Sequence, residues 1–215
     1  MSIGYSIRKH QAALLISVGI IGLITSGIIY IRQPKPPKVT SVTVAAATSS
    51  VKPAAKVVSQ YTVPATDPRY IAISSIGVGN TPVEELGLLK DGSIATPNNI
   101  YETGWYGGSA KPGQPGAMFI YGHVSSWTAD GVFYNLKKLV PGDTVTVTRG
   151  DNQQFTYKVI TSKVYPYNNV DMKAVLSPVQ ASIPGLNLMT CTGKVISGTS
   201  EFNERLVVFT SLVKG

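Results

Sequence analysis

The sequence contains a single cysteine, Cys191. It therefore cannot form an intramolecular disulfide, and it lacks the thiolates that a cysteine-based zinc site requires. Histidine is nearly as scarce, with only His10 and His123. Charged residues make up 14% of the chain and hydrophobic residues 43%, which predicts one domain of ordinary size and a short additional segment.

The net charge of +8 is not spread evenly along the chain. Seven Lys and Arg residues and no acid precede residue 61, whereas twelve Lys and Arg face eleven Asp and Glu from there on. A nucleic-acid-binding surface would need cations clustered on the folded part. The charge pattern instead indicates a basic segment close to a membrane and a nearly neutral domain.

Residues 12–31 form a run of 20 residues without charge or proline. As a helix, this run would span roughly 30 Å, the thickness of the hydrocarbon core of a bilayer. A cleaved signal peptide would have a shorter apolar region and small residues at its end, but Tyr30, Ile31 and Arg32 stand there. We therefore expect residues 1–11 to be a short cytoplasmic N-terminus and residues 12–31 an uncleaved transmembrane anchor.

Residues 32–66 are rich in Pro, Ala, Ser and Thr and show no amphipathic period, which predicts a flexible linker. From residue 67 onward, short segments rich in β-branched and aromatic residues alternate with turn residues, as is typical of strands. Residues 143–148 and 154–165 flank a polar turn and predict a hairpin. Other predicted strands are 70–73, 117–121, 186–190 and 205–212, and short helices are predicted at 131–139 and 171–176. The domain at 67–215 is therefore predicted to be mainly β.

His123 and Cys191 each follow an apolar segment, so both are predicted at strand ends, from which a side chain can reach a cleft. A thiol and an imidazole can serve as a nucleophile and its acid/base partner. Two alternatives stay open. A lone cysteine is often a small inert core residue, and a histidine after Gly122 can simply be a hydrogen-bonded turn residue.

Arg205 shares a predicted strand face with Val207 and Phe209. An arginine on an apolar face needs a partner, because burying it unpaired is costly. That partner is either an anionic group of a reacting substrate or, in a purely structural role, Glu201 or a backbone carbonyl. A thiol, an imidazole and a guanidinium at three strand ends are the parts of an acyl-transfer site.

The segments around these residues resemble the sequence motifs of the sortase family. The segment Leu188-Met189-Thr190-Cys191 resembles the sortase Thr-Leu-x-Thr-Cys signature, although the leading Thr is absent. Tyr121-Gly122-His123 resembles the strand-end Gly-His of those enzymes, and Arg205 follows the cysteine at the expected short distance on a final strand. The resemblance covers about residues 68–212 and is greatest to the class D, E and F sortases.

The resemblance implies a closed eight-stranded β-barrel and a cysteine transpeptidase. Cys191 would form a thioacyl intermediate, His123 would act as acid and base, and Arg205 would stabilise the developing charge. Thr190 is expected to bind substrate or shape the site, and no metal or organic cofactor is required. Hydrolysis of the intermediate would be a side reaction.

The implied substrates are secreted proteins with a C-terminal sorting signal of the Leu-Pro-x-Thr-Gly kind. The implied acceptor is an amine on a peptidoglycan peptide or another surface protein, which places the domain outside the cytoplasm. With residues before 70 assigned to the linker, we expect anchoring of individual proteins rather than pilus assembly.

Two other functions remain open at this point. An L,D-transpeptidase also depends on Cys, His and Arg, but that family has a Ser-x-Gly-Cys segment and an arginine two residues after the cysteine, which residues 188–193 lack. A non-catalytic surface-binding module, in which Cys191 is merely buried, is the alternative from a different class.

Overall fold

The computed structural model describes residues 39, 41, 42 and 49–215. Eight strands form a closed barrel in the order β1-β2-β3-β4-β7-β8-β6-β5. The β2/β3 and β4/β7 pairs are parallel and the other neighbouring pairs are antiparallel. The strands are β1 Pro68–Ile73, β2 Val78–Leu86, β3 Thr103–Tyr106, β4 Ala117–Gly122, β5 Thr144–Arg149, β6 Gln154–Pro166, β7 Gly185–Val195 and β8 Phe202–Lys214.

Within the described part of the chain, helices are few and short, as predicted. It contains two α-helices, α1 (Ala55–Ser59) and α2 (Met172–Val175), and two 3-10 turns at Ser74–Ile76 and Leu136–Lys138. The Asp171 carboxylate accepts a hydrogen bond from the Ala174 N–H and so caps α2. The longer helix predicted at 131–139 is wrong, since only its last part is helical. The prediction of a mainly β, closed eight-stranded barrel is confirmed.

Central strands β4, β7 and β8 are buried on both faces. Successive side chains of a strand point to opposite sides. One set packs inside the barrel and includes Met118, Ile120, Leu186, Leu188 and Val208. The alternate set forms a second apolar cluster on the outer face, which includes Phe119, Tyr121, Met189, Cys191, Val207 and Phe209. Burial on both sides explains why these segments read as nearly continuous apolar runs.

Strands β7 and β8 extend beyond their predicted ends. The register of the pair shifts between Thr192 and Val195, which marks a bulge. Gly193 has a φ of 84° there, a left-handed conformation that glycine adopts without steric cost. The strand therefore continues past Cys191, and Arg205 is the fourth residue of β8. The prediction that Cys191 and Arg205 lie at strand ends is wrong for both, whereas His123 does follow the end of β4.

The described residues of the predicted linker contact strand β2 and the β2–β3 connection. The Ile94 N–H donates to the Ser41 carbonyl at 2.9 Å, and the Asn99 side chain donates to the Val51 carbonyl at 3.0 Å. The Tyr61 hydroxyl donates to the Val83 carbonyl at 2.8 Å. This part of the chain is thus not free coil. Across the described residues, no helix is long and apolar enough to cross a bilayer, and the predicted anchor at 12–31 lies outside them.

Candidate active site

Cys191 lies on the outer face of β7 between β4 and β8, and its side chain is 3% exposed. Strand β8 pairs with β7 so that Arg205 is directly opposite Cys191. Residues opposite each other in an antiparallel pair point to the same face, with Cβ atoms about 4.5–5.5 Å apart. The strand pairing therefore places the Arg205 side chain next to that of Cys191.

The guanidinium of Arg205 is buried and has several partners. Its Nη1 donates to the carbonyl oxygens of Phe202 and Glu204, each at 3.0 Å. Its Nη2 is paired with the carboxylate of Glu201 from the β7–β8 connection. The Tyr167 ring lies below it, with 5.8 Å between the Arg205 Cζ and the ring centroid. The structural partners expected for this arginine, Glu201 and backbone carbonyls, are thus both present.

His123 follows β4 directly, on the other side of Cys191. The parallel register pairs Tyr121 with Met189, so its continuation by two residues brings His123 level with Cys191. Adjacent strands are about 4.8 Å apart. The Thr190 hydroxyl donates to the Gly122 carbonyl at 2.7 Å and ties β7 to the end of β4 at this point. The three predicted catalytic residues therefore lie side by side across β4, β7 and β8.

The imidazole of His123 is held by the segment before β3. Its Nε2 lies 2.7 Å from the Pro97 carbonyl oxygen. Because a carbonyl only accepts hydrogen bonds, Nε2 carries the proton. In the neutral ring the lone pair is therefore on Nδ1, which is the atom available to act as a base.

Gly122 allows the chain to pack closely next to His123. A Cβ atom at this position would lie 2.6 Å from Phe133 Cδ2 and 2.8 Å from Val132 Cγ1. The Phe133 N–H in turn donates to the His123 carbonyl at 3.0 Å. The absent side chain thus lets residues 131–133 cover the end of β4 and fix the backbone of His123.

Tyr121 is a further member of the site. It precedes the Gly-His pair in the sequence, but it was not predicted to be a site residue. Its hydroxyl oxygen lies 3.2 Å from the sulfur of Cys191. Its ring meets the His123 ring edge-on, with centroids 5.6 Å apart. The two-residue spacing between Tyr121 and His123 was the available signal, because alternate residues of a strand share a face.

Burial shifts the pKa of the thiol and the pKa of the imidazole in opposite directions. Burial raises the pKa of Cys191, and the nearby Arg205 and the Tyr121 hydroxyl oppose this shift. Burial lowers the pKa of His123, opposed by the hydrogen bond to Pro97. At neutral pH the dominant form of the pair is therefore a neutral thiol beside a neutral imidazole.

A pocket of about 210 Å³ opens beside Cys191. Thr192 and Gly193 line one part of it, and Tyr134 and Lys137 line another. The pocket reaches Cys191 but neither His123 nor Arg205, whose contacts are with the protein itself.

No metal centre is evident among the described residues, where no three His, Cys, Asp or Glu side chains come together as a metal site requires. Thr190 is 2% exposed, and its hydroxyl is engaged with the backbone of β4. Its contacts favour a role in shaping the site.

Comparison with known proteins gives a family match. The sequence model of the sortase domain matches residues 71–213, more than half of the chain. No curated protein sequence matches the chain significantly.

Several solved structures are similar in fold. They include pilus island 1 sortase C2 of group B Streptococcus, with 22% identity, 77% of this chain and 82% of that chain covered, and a TM-score of 0.52. Sortase C of Streptococcus pneumoniae matches with 23% identity, 70% of each chain and a TM-score of 0.52. Sortase A of Corynebacterium diphtheriae matches with 22% identity, 69% of this chain, 61% of that chain and a TM-score of 0.51.

Proposed function

This chain belongs to the sortase family of cysteine transpeptidases, and from that premise we propose that it cleaves a C-terminal sorting signal of the Leu-Pro-x-Thr-Gly kind and transfers the protein to an amine. The observation that carries the proposal is the alignment of His123, directly after β4, with Cys191 on β7 and Arg205 on β8. Class D, E or F remains our prediction for the subclass.

Acylation begins with attack of the Cys191 thiolate on the carbonyl carbon between Thr and Gly. The carbonyl π electrons move to oxygen, and Arg205 stabilises the resulting oxyanion with N–H groups that Phe202, Glu204 and Glu201 do not use. This step requires bound substrate to reach the guanidinium beyond the pocket seen beside Cys191. When the intermediate collapses, the C–N bond breaks and the His123 imidazolium gives its proton to the departing amine. The product is a thioester on Cys191.

Transfer reverses these roles. The incoming amine attacks the thioester carbon, and neutral His123 takes the amine proton. The C–S bond then breaks, its electron pair remains on sulfur, and Cys191 is again a thiolate. Water in place of the amine gives hydrolysis.

The reactive thiolate–imidazolium form is the minor one at neutral pH, since burial shifts the pKa of each group against its charged form. We therefore expect a plot of kcat/KM against pH to be bell-shaped with a broad plateau. The acid limb should lie below the ordinary histidine value of 6.5, and the alkaline limb above the ordinary cysteine value of 9.0.

The proposal also includes the location of the enzyme. The apolar run at 12–31 supports a single-pass membrane anchor, with the domain from about residue 67 outside the cytoplasm. The acceptor would be an amine of peptidoglycan or of another surface protein. We propose anchoring of individual proteins as the role, and a site-shaping function for Thr190.

The test is a transpeptidation assay with the full 215-residue chain. A peptide that contains Leu-Pro-Glu-Thr-Gly is incubated with triglycine, and the products are identified by mass spectrometry. We expect a product in which triglycine has replaced the leaving glycine, with none from Cys191→Ala. Turnover by Cys191→Ala would refute the nucleophile assignment, whereas a folded wild-type chain inactive on a library of such peptides would favour a binding module.

A further inference from the structure

Tyr121 connects the two reacting side chains of the proposed mechanism. Its side chain is fully buried. The hydroxyl lies 3.2 Å from Cys191 Sγ, and the ring stands at 86° to the His123 ring. A buried phenol of this kind needs a hydrogen-bond partner, because an unpaired buried hydroxyl is costly. Cys191 is the partner that the fold supplies.

The chemistry of the two groups fixes the direction of this hydrogen bond once the thiol ionises. A thiolate has lone pairs but no proton, so only the tyrosine O–H can donate. The phenol keeps its proton over the working range, because burial first, and then the neighbouring Cys191, raise the pKa of Tyr121 well above its ordinary value. Hydrogen bonds to a charged acceptor are stronger than those between neutral groups.

We propose that Tyr121 is a further catalytic residue of this site, whose hydroxyl donates a hydrogen bond to the Cys191 sulfur when the thiolate forms and again when the thiolate leaves the acyl group. This inference rests on the proposed acyl transfer. It gives Tyr121 a role distinct from that of Arg205, since the phenol stabilises charge on sulfur and the guanidinium stabilises charge on oxygen.

Other charged and titratable groups also surround the sulfur and must be kept constant in any test. They come from the end of β4, from β8, from the β7–β8 connection and from the helical turn across the pocket. These groups are His123, Arg205, Glu201 and Lys137. A substitution that removes only the Tyr121 hydroxyl leaves all of them in place.

The experiment measures alkylation of Cys191 by iodoacetamide as a function of pH in the full chain. Cys191 is the only cysteine, so the reaction reports a single thiol and requires no sorting peptide. In Tyr121→Phe we expect the midpoint of the alkylation profile to move up by about one pH unit. The alkylation rate at neutral pH should fall by roughly tenfold. We expect kcat of transpeptidation to fall with little change in KM.

Tyr157→Phe is a matched control. Tyr157 is likewise fully buried, but it lies in the barrel interior, where its hydroxyl accepts a hydrogen bond from the Gly113 N–H at 3.0 Å. This variant loses a buried hydroxyl without altering the surroundings of Cys191. Its alkylation profile should match that of the wild type. If Tyr121→Phe also matches the wild type, the proposal is overturned.

A second measurement does not depend on the folding of a variant. In wild-type protein labelled with ¹³Cζ-tyrosine, one tyrosine signal should shift over the pH range in which alkylation shows Cys191 to ionise. The same signal should be insensitive to that pH range in Cys191→Ala. Absence of any tyrosine signal that follows the thiol would contradict the proposal. Because neither readout involves a peptide, failure here is distinguishable from failure of the transpeptidase assignment.

Discussion

The inner and outer faces of β4, β7 and β8 differ in chemistry although the same three strands form both. On the inner face, Ile120, Leu188 and Val208 are apolar and fully buried. On the outer face, Cys191 and Arg205 are almost as buried, but they are polar or charged.

The outer face tolerates these groups because each has a partner. Cys191 contacts Tyr121, and Arg205 has Glu201 and two carbonyls. The inner face determines where the strands lie, through non-directional burial. The outer face uses those fixed positions to hold reactive groups, so the two faces should respond differently to substitution.

Cys191→Ala should have the largest effect on activity and little effect on stability. The side chain is small, and its loss removes the nucleophile but leaves the interior packing of β7 unchanged. We expect no detectable transpeptidation and a cooperative thermal transition close to that of the wild type. A large drop in Tm would mean that the thiol is mainly a packing element.

Arg205→Lys should lower kcat/KM by roughly 100-fold, in the range observed when one oxyanion donor is removed. A lysine retains the charge but cannot reproduce the planar fork that now bonds two carbonyls and a carboxylate. Arg205→Ala is the companion variant. Full activity in the lysine variant would show that only the positive charge matters.

Leu186→Ala tests the inner face of the same strand. Leu186 is fully buried in the barrel interior, and truncation of a buried leucine costs about 2–5 kcal/mol. Urea unfolding should show this loss, whereas the alkylation rate of Cys191 in folded protein should stay at the wild-type value. A changed alkylation rate would show that the two faces are not independent.

Glu201→Gln should have the smallest effect of these variants, and it should increase the reactivity of Cys191. The Glu201 carboxylate neutralises part of the Arg205 charge and adds to the rise in the pKa of Cys191. Its removal should speed alkylation at neutral pH by up to about fivefold, since a partly exposed pair contributes up to about 1 kcal/mol. Glu204→Gln is the control, because β8 directs Glu204 to the other side. Slower alkylation in Glu201→Gln would indicate that the carboxylate mainly orients Arg205.

Local sequence pattern was sufficient to predict those strands in which apolar residues run continuously or alternate along the strand. The apolar runs predicted β4, β7 and β8, and the spacing of Arg205, Val207 and Phe209 predicted a shared face. Local pattern was insufficient for β2, which contains Gly79 and Pro82, and for β3, which has only four residues. Both strands depend on neighbours in the barrel for their stability.

The features that sequence pattern missed at the site are non-local. Tyr121 and Cys191 are 70 positions apart in the chain, and they meet only because β4 and β7 are parallel neighbours. The bulge after Thr192 interrupts the alternation, which made the strand seem to end at Cys191. The Pro97 carbonyl that holds His123 comes from an irregular segment, for which sequence periodicity predicts nothing.

The most direct test of the central claim is to trap the acyl group on the outer face. The full chain is mixed with a Leu-Pro-Glu-Thr-Gly peptide without an amine acceptor, quenched in acid, and analysed by intact-protein and peptide mass spectrometry. We predict an adduct on Cys191 with the mass of the peptide acyl fragment, which disappears when triglycine is added. Peptide cleavage without any adduct on Cys191 would contradict the account.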